Sequence, residues 1–195
     1  LIALGLKRSH IYMFDSKGLI CSARNDLNQY KLKFATKGPA KLLEDLIVNT
    51  DVFIGLSKAN LLKASLMLKM PKDPIVFALA NPTPEIDPVL ARKLRKDLII
   101  ATGRSDHPNQ INNLICFPYI FKGLLSVRAK EINSDILISV VEAIRNIAKE
   151  EKTAPKNGDI LKFGKNYIIP KAMDPRLIDV IPSVVSSTAL KTNAV

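Results

Sequence analysis

The sequence has no tryptophan and only two cysteines in 195 residues. Cys21 and Cys116 lie far apart without C-x-x-C spacing, which excludes a disulfide framework and a cysteine zinc site and suits two thiols in a reducing compartment. No apolar run approaches the ~20 residues of a membrane-crossing helix; "PIVFALA" is among the longest. Aromatics amount to 6%, and the lysines and arginines behind a net charge of +11 are spread from Lys7 to Lys191. A nucleic-acid surface gathers its cations and interleaves stacking rings, so no nucleic-acid partner is expected. The eight glycines contain no G-x-G pair, so the pyrophosphate-binding turn of a dinucleotide fold is missing. A secretory leader is not expected either. In "LIALGLKRSH" the cations follow the apolar run, and no small-residue cleavage site comes after it. The segment reads as the last turns of a helix ending in Lys7 and Arg8, so part of the fold is expected upstream.

What is present is an alternation of buried strands and helices. "HIYMFDSKG" reads as a strand running into a turn. Helical spacing follows over 27–35 and 40–48, with Gly38-Pro39 as the break. "DVFIGL", "DPIVFALA" and "DLIIATG" read as strands, separated by helices at 59–70 and 88–96, the second opened by Pro88. Continuous apolar strands are expected to be covered on both faces and, with helices between them, to lie parallel. The fold class is therefore α/β, a doubly wound parallel sheet of Rossmann type, with its first strand and glycine-rich loop missing. Helices at 115–130 and 134–151, a surface loop at 152–166 and a helix from Asp174-Pro175 complete the chain.

Ligands of such a fold gather at the carboxyl ends of the strands. Asp15 ends the first strand here. It fits the acidic residue that bonds the adenosine ribose if a strand and a helix precede Leu1, although Asp before Gly also makes ordinary turns. Asn81 follows a buried strand and precedes Pro82, so it is either a ligand-facing amide or an Asx-turn cap. In "LIIATGRSDHPNQINNLICFP" an apolar strand breaks into a turn rich in amides, Asn109, Gln110, Asn112 and Asn113. Asn112 and Asn113 stand where the next helix begins and could converge with Asn81 on one crevice, as neutral donors for a small carboxylate or hydroxy acid. Ser105, Asp106 and His107 are hydrolase residue types, but sequence neighbours on a turn do not assemble a triad. Nor do Asp106 and His107 have a further ligand at metal-binding spacing.

"DPIVFALANPTPEI", "IIATGRSDHPNQINNLICFPYIFKGLLSVRA" and "YIIPKAMDPRLI", with "YMFDSKGLI" and "DVFIGLS" in the same order, closely resemble the bacterial malic enzymes. The resemblance implies an NAD(P)-binding domain over 1–151, truncated at its start, with 152–195 a loop and helix packing on the same domain. It implies oxidative decarboxylation of malate to pyruvate with NAD or NADP and a divalent metal, Mg or Mn. Asn81 and Asn113 would contact malate, while Asp15, Ser16, Lys17 and Asn81 would lie beside the nucleotide. "DSKG" leans toward NADP. In the family the metal ligands, the catalytic lysine and the tyrosine precede the glycine-rich loop, so no catalytic or metal-binding residue is expected in this chain. By itself it is expected to be inactive. A cytoplasmic location, a partnership with the N-terminal malic enzyme domain and a homo-oligomer when intact are implied as well. The competing expectation is a noncatalytic remnant or partner-binding module.

Overall fold

The computed structural model of the chain describes residues 1–150, 152–153 and 160–195. Its first element is a single 3-10 turn, Ile2–Leu4, instead of the end of an α-helix. Gly5 stops it by taking φ of 97°, with its amide bonded back to the Ile2 carbonyl at 2.9 Å. The expected first strand is also different. Phe14–Asp15 (β1) turns back at once and pairs antiparallel with Gly18–Leu19 (β2), so it does not join the parallel sheet. Gly18 adopts φ of 107°, a conformation that favours glycine, and this permits the two-residue reversal.

Two short helices follow, Gln29–Leu32 (α1) and Leu43–Ile47 (α2). The Asn28 side chain caps α1 by accepting from the amides of Tyr30 and Lys31. The central sheet is Val52–Gly55 (β3), Ile75–Ala78 (β4) and Ile99–Thr102 (β5), parallel and in that spatial order. Between β3 and β4 the helix is only Ala64–Met67 (α3), shorter than its sequence period suggests. The reason is tertiary: the amides of Asn60 and Leu62 donate to the carbonyls of Pro84 and Glu85, and Asn60 is left-handed at φ 57°. Pro88–Leu94 (α4) links β4 to β5 and is capped by Asp87, which accepts from Val89 and Leu90.

One face of the sheet packs into a core with Phe53, Val76, Ala78 and Ile100, under Ile47, Leu62, Met67 and Ala91. Its other face is open along β3, where Val52 is 44% and Ile54 42% exposed. Coverage on both faces, expected from the continuous apolar pattern, holds at β5, where Ala101 is fully buried opposite Ile100, and fails at the edge strand β3. An apolar pattern does not specify which segment covers a face, which is a tertiary matter.

A second core is helical. Phe117–Ser126 (α5), Ser134–Lys149 (α6) and Leu177–Lys191 (α7) bring together Leu124, Ile136, Val140, Ile147, Leu177, Ile181 and Val185. Gly123 lets α5 and α7 meet closely, since a Cβ there would stand 2.7 Å from the Pro182 carbonyl oxygen. Between α6 and α7, Lys152–Thr153 (β6) and Ile160–Leu161 (β7) pair antiparallel, where the sequence reads as plain loop. Pro155 and Gly158 lie outside the described residues. The last helix is regular only from Leu177, later than Asp174-Pro175 suggests; the buried Asp174 carboxylate accepts from the Arg176 amide, as Asp87 does from Val89 at α4, and also from the Arg176 guanidinium.

Candidate functional site

The carboxyl ends of β3 and β4 are tied together by Glu85, which is completely buried. Its Oε1 accepts from the Ser57 amide at 3.1 Å and its Oε2 from the Ala80 amide at 3.0 Å. The carboxylate thus satisfies two backbone donors that leave the sheet in different loops. Gly55 makes room for it: a Cβ at that position would lie 2.3 Å from Glu85 Cδ. Neither residue stands out in the sequence as a brace. The available signal was an acidic residue inside "NPTPEI", directly after a buried strand, where a solvated turn has no need of one.

Asn81 leaves β4 three residues after Ala78, through a cis Asn81–Pro82 peptide, and its side chain is exposed. The neighbouring row is set by register, with Ala78 paired to Thr102 and Thr102 bridged to Gln110 in parallel. Asn113 stands three residues beyond Gln110, so both amides emerge from the same end of the sheet. Their side chains make no hydrogen bond among the described residues, unlike the other amides in this turn. Asn109 is buried, donates to the carbonyls of Ile100 and Lys165, and accepts from the Ile168 amide. Asn112 caps the turn at Leu114, and Gln110 donates to the Gly103 carbonyl. Asn112 is therefore not a second free group beside Asn113: its oxygen is committed to the backbone.

A shallow cleft of about 320 Å³ opens at this end of the sheet, between Thr83-Pro84 and the Arg104–His107 turn. Neither Asn81 nor Asn113 lines it. Arg104 chelates Asp106 and holds its carboxyl down at about 2, while His107 Nε2 lies 3.8 Å from the same carboxylate. Ser105 makes no hydrogen bond among the described residues, so no triad assembles. Those residues also contain no group of three or more His, Cys, Asp or Glu side chains placed to hold a metal ion.

Asp15 sits in a cluster of five charges. Arg24 donates to both of its oxygens at 2.8 and 3.0 Å, Lys31 donates to Oδ2, and the Lys17 amide donates to Oδ1 at 2.9 Å. Arg24 also reaches Asp26, whose Oδ2 receives the Lys17 ammonium at 2.7 Å. Arg24 first, then Lys31, holds the Asp15 carboxyl far below the usual carboxylate range, and Arg24 with Lys17 does the same to Asp26. A carboxylate has about four acceptor sites, and four donors meet those of Asp15 here. Three cations against two carboxylates leave this turn with a surplus positive charge beside the exposed Ser16. Arg24 and Lys31 could not have been found by local spacing, because they reach Asp15 from across the hairpin.

Residues 5–161 match the model of the malic enzyme NAD-binding domain. The chain belongs to the malic enzyme family. It is 44% identical over 97% of its length to the NADP-dependent malic enzyme of Halomonas elongata, of which it covers 46%. It is 43% identical to the NADP-dependent malic enzyme of Escherichia coli, covering 26% of that protein, and 42% identical to an NAD-dependent malic enzyme of Rhizobium meliloti. Among solved structures, the Entamoeba histolytica malic enzyme superposes with a TM-score of 0.85 at 32% identity, over 99% of this chain and 40% of the other. The NAD-dependent malic enzyme of Thermotoga maritima gives 0.79 at 38% identity over 95% of this chain. The chain thus spans between about a quarter and just under half of the curated malic enzymes it matches. The α/β class and the parallel sheet are those of the malic enzyme nucleotide-binding domain. Among the described residues no helix is long and apolar enough to cross a membrane.

Proposed function

We propose that this chain is the nucleotide-binding part of a malic enzyme that converts malate to pyruvate and carbon dioxide, with Asn81 and Asn113 orienting the substrate. The observation that carries this reading is the pair of uncommitted amides at one end of the sheet, Asn81 after β4 and Asn113 in the turn after β5, whose other amides serve the backbone. Amide N–H groups donate to a malate carboxylate without adding a fixed charge, which keeps the site compatible with a departing neutral carbon dioxide. Glu85 contributes from beneath, fixing the backbone of Ala80 next to Asn81. The nicotinamide, when bound, takes up a hydride from the carbon that bears the substrate hydroxyl. A divalent metal, Mg or Mn, would be held by residues outside 1–195. Residues 1–151 would form the nucleotide-binding unit, with 152–195 packed on it. The protein would act in the cytoplasm, where Cys21 and Cys116 stay reduced, and assemble as a homo-oligomer with the N-terminal domain of the full enzyme.

For the nucleotide, the saturated Asp15 suits a structural anchor, while Ser16, Lys17 and the surplus charge of the hairpin suit the 2′-phosphate of NADP. Replacing the matching segment of the Halomonas elongata enzyme with residues 1–195 should give a protein that reduces NADP in the presence of malate. Absence of malate-dependent reduction in a folded chimaera would overturn the reading. In that chimaera Lys17→Ala should raise KM for NADP about 5- to 20-fold, and for NAD less than twofold, from loss of one charge-assisted contact of about 1–2 kcal/mol. Equal changes for both nucleotides would place Lys17 away from the 2′-phosphate.

A further inference from the structure

The +11 charge is not used up by the nucleotide reading, and one part of it is concentrated at the other end of the sheet. A second cleft, about 210 Å³, is lined by Arg92, Arg95, Lys96, Leu98, Lys165 and Asn166. Leu98 immediately precedes β5, so the cleft opens at the amino-terminal end of that strand, whereas Asn81 and Asn113 emerge at the carboxyl end. Arg95 is neutralised by Asp97 and spends its remaining donors on the carbonyls of Met67, Met70 and Pro71. Among the described residues, Arg92, Lys96 and Lys165 have no carboxylate in ion-pair contact. Arg92 uses only Nη2, toward the carbonyls of Ile100 and Pro108, and Lys165 bonds the Lys96 carbonyl at 3.2 Å. Burial without a countercharge pulls Arg92 below the usual arginine range.

Three uncompensated cations around a concave surface repel one another, and an anion relieves that repulsion. A guanidinium edge with free Nε and Nη1, two exposed ammonium groups and the Asn166 amide present donors from several directions. This matches the three oxygens of a phosphate dianion better than a planar monocarboxylate. We propose that this cleft is a phosphate-binding site, for inorganic phosphate or a small phosphate monoester, separate from the nucleotide and malate sites. The site would also be coupled to the turn that carries Asn113. Arg92 holds the Pro108 carbonyl and Asn109 holds the Lys165 carbonyl, so a phosphate bridging Arg92 and Lys165 closes a ring through residues 108–109 and stiffens the segment leading to Asn113.

The test is calorimetric titration of the full chain with inorganic phosphate and, separately, with glycerol 3-phosphate, at ionic strength held constant with sodium chloride. Saturable binding is expected, weakened at least tenfold in Lys96→Gln/Lys165→Gln and less than twofold in Lys37→Gln/Lys41→Gln, which removes the same charge from an exposed segment elsewhere. Because both double variants change only exposed lysines, folding is preserved for the comparison. Amide exchange over 108–113 should slow on phosphate addition in the wild type and not in Lys96→Gln/Lys165→Gln. Tighter binding of glycerol 3-phosphate identifies a phosphorylated metabolite as the ligand class, and tighter binding of inorganic phosphate identifies the free ion. Non-saturable heats, or equal losses in the two double variants, would show general charge screening and overturn the proposal.

Discussion

Glu85→Ala is expected to lower the stability of the folded chain by about 3–5 kcal/mol, a fall of roughly 6–20 °C in Tm for a domain of this size. The buried carboxylate is the acceptor for the amides of both Ser57 and Ala80. Alanine would leave these two donors without it, and each bond to a charged group is worth about 1.5–3 kcal/mol. The loss would fall on the loops that leave β3 and β4, so amide exchange at Ser57 and Ala80 should accelerate before the helical core responds. Glu85→Gln retains one carbonyl acceptor and should cost about half as much. Thermal melts and amide exchange of both variants check this. A shift under about 2 °C for Glu85→Ala would mean that water replaces the carboxylate and that Glu85 is no brace. Gly55→Ala approaches the same fault from the other side, since its methyl would occupy the space of the Glu85 carboxylate and force it off its two amides.

In the full-length chimaera, Asn81→Ala and Asn113→Ala should each reduce kcat/KM for malate about 10- to 150-fold, the effect of one hydrogen bond to a charged ligand, worth about 1.5–3 kcal/mol. Dissociation constants for the nucleotide should change much less. Neither side chain supports the backbone, so Tm should stay within about 1 °C of the parent. Asn109→Ala provides the contrast. It deletes bonds to Ile100, Lys165 and Ile168 from a buried position, so stability should drop by about 2–4 kcal/mol. Steady-state kinetics alongside melting curves separates the two classes. Unchanged malate kinetics in both Asn81→Ala and Asn113→Ala would remove them from the substrate site.

Sequence period and composition determined a good deal here. β3, β4 and β5 were legible as short apolar runs bounded by Gly, Pro or Asp, and their parallel arrangement followed from the helices between them. The helix start at Pro88 was legible for the same local reason, because proline suits the first turn of a helix. The motifs around Asn81 and Asn113 carried the family. Three things were decided only by tertiary structure. The 59–63 segment gave up its helical bonds for carbonyls near Glu85, a contact across more than twenty residues that no local pattern records. Asp15 looked like a free acceptor until the hairpin brought Arg24 and Lys31 onto both of its oxygens. Four amides in one turn looked alike, and only the packing of Lys165 and Ile168 against β5 took Asn109 for structure and left Asn113 open. Local patterns specify which backbone a segment prefers, whereas the availability of a polar side chain depends on every distant group that can reach it first.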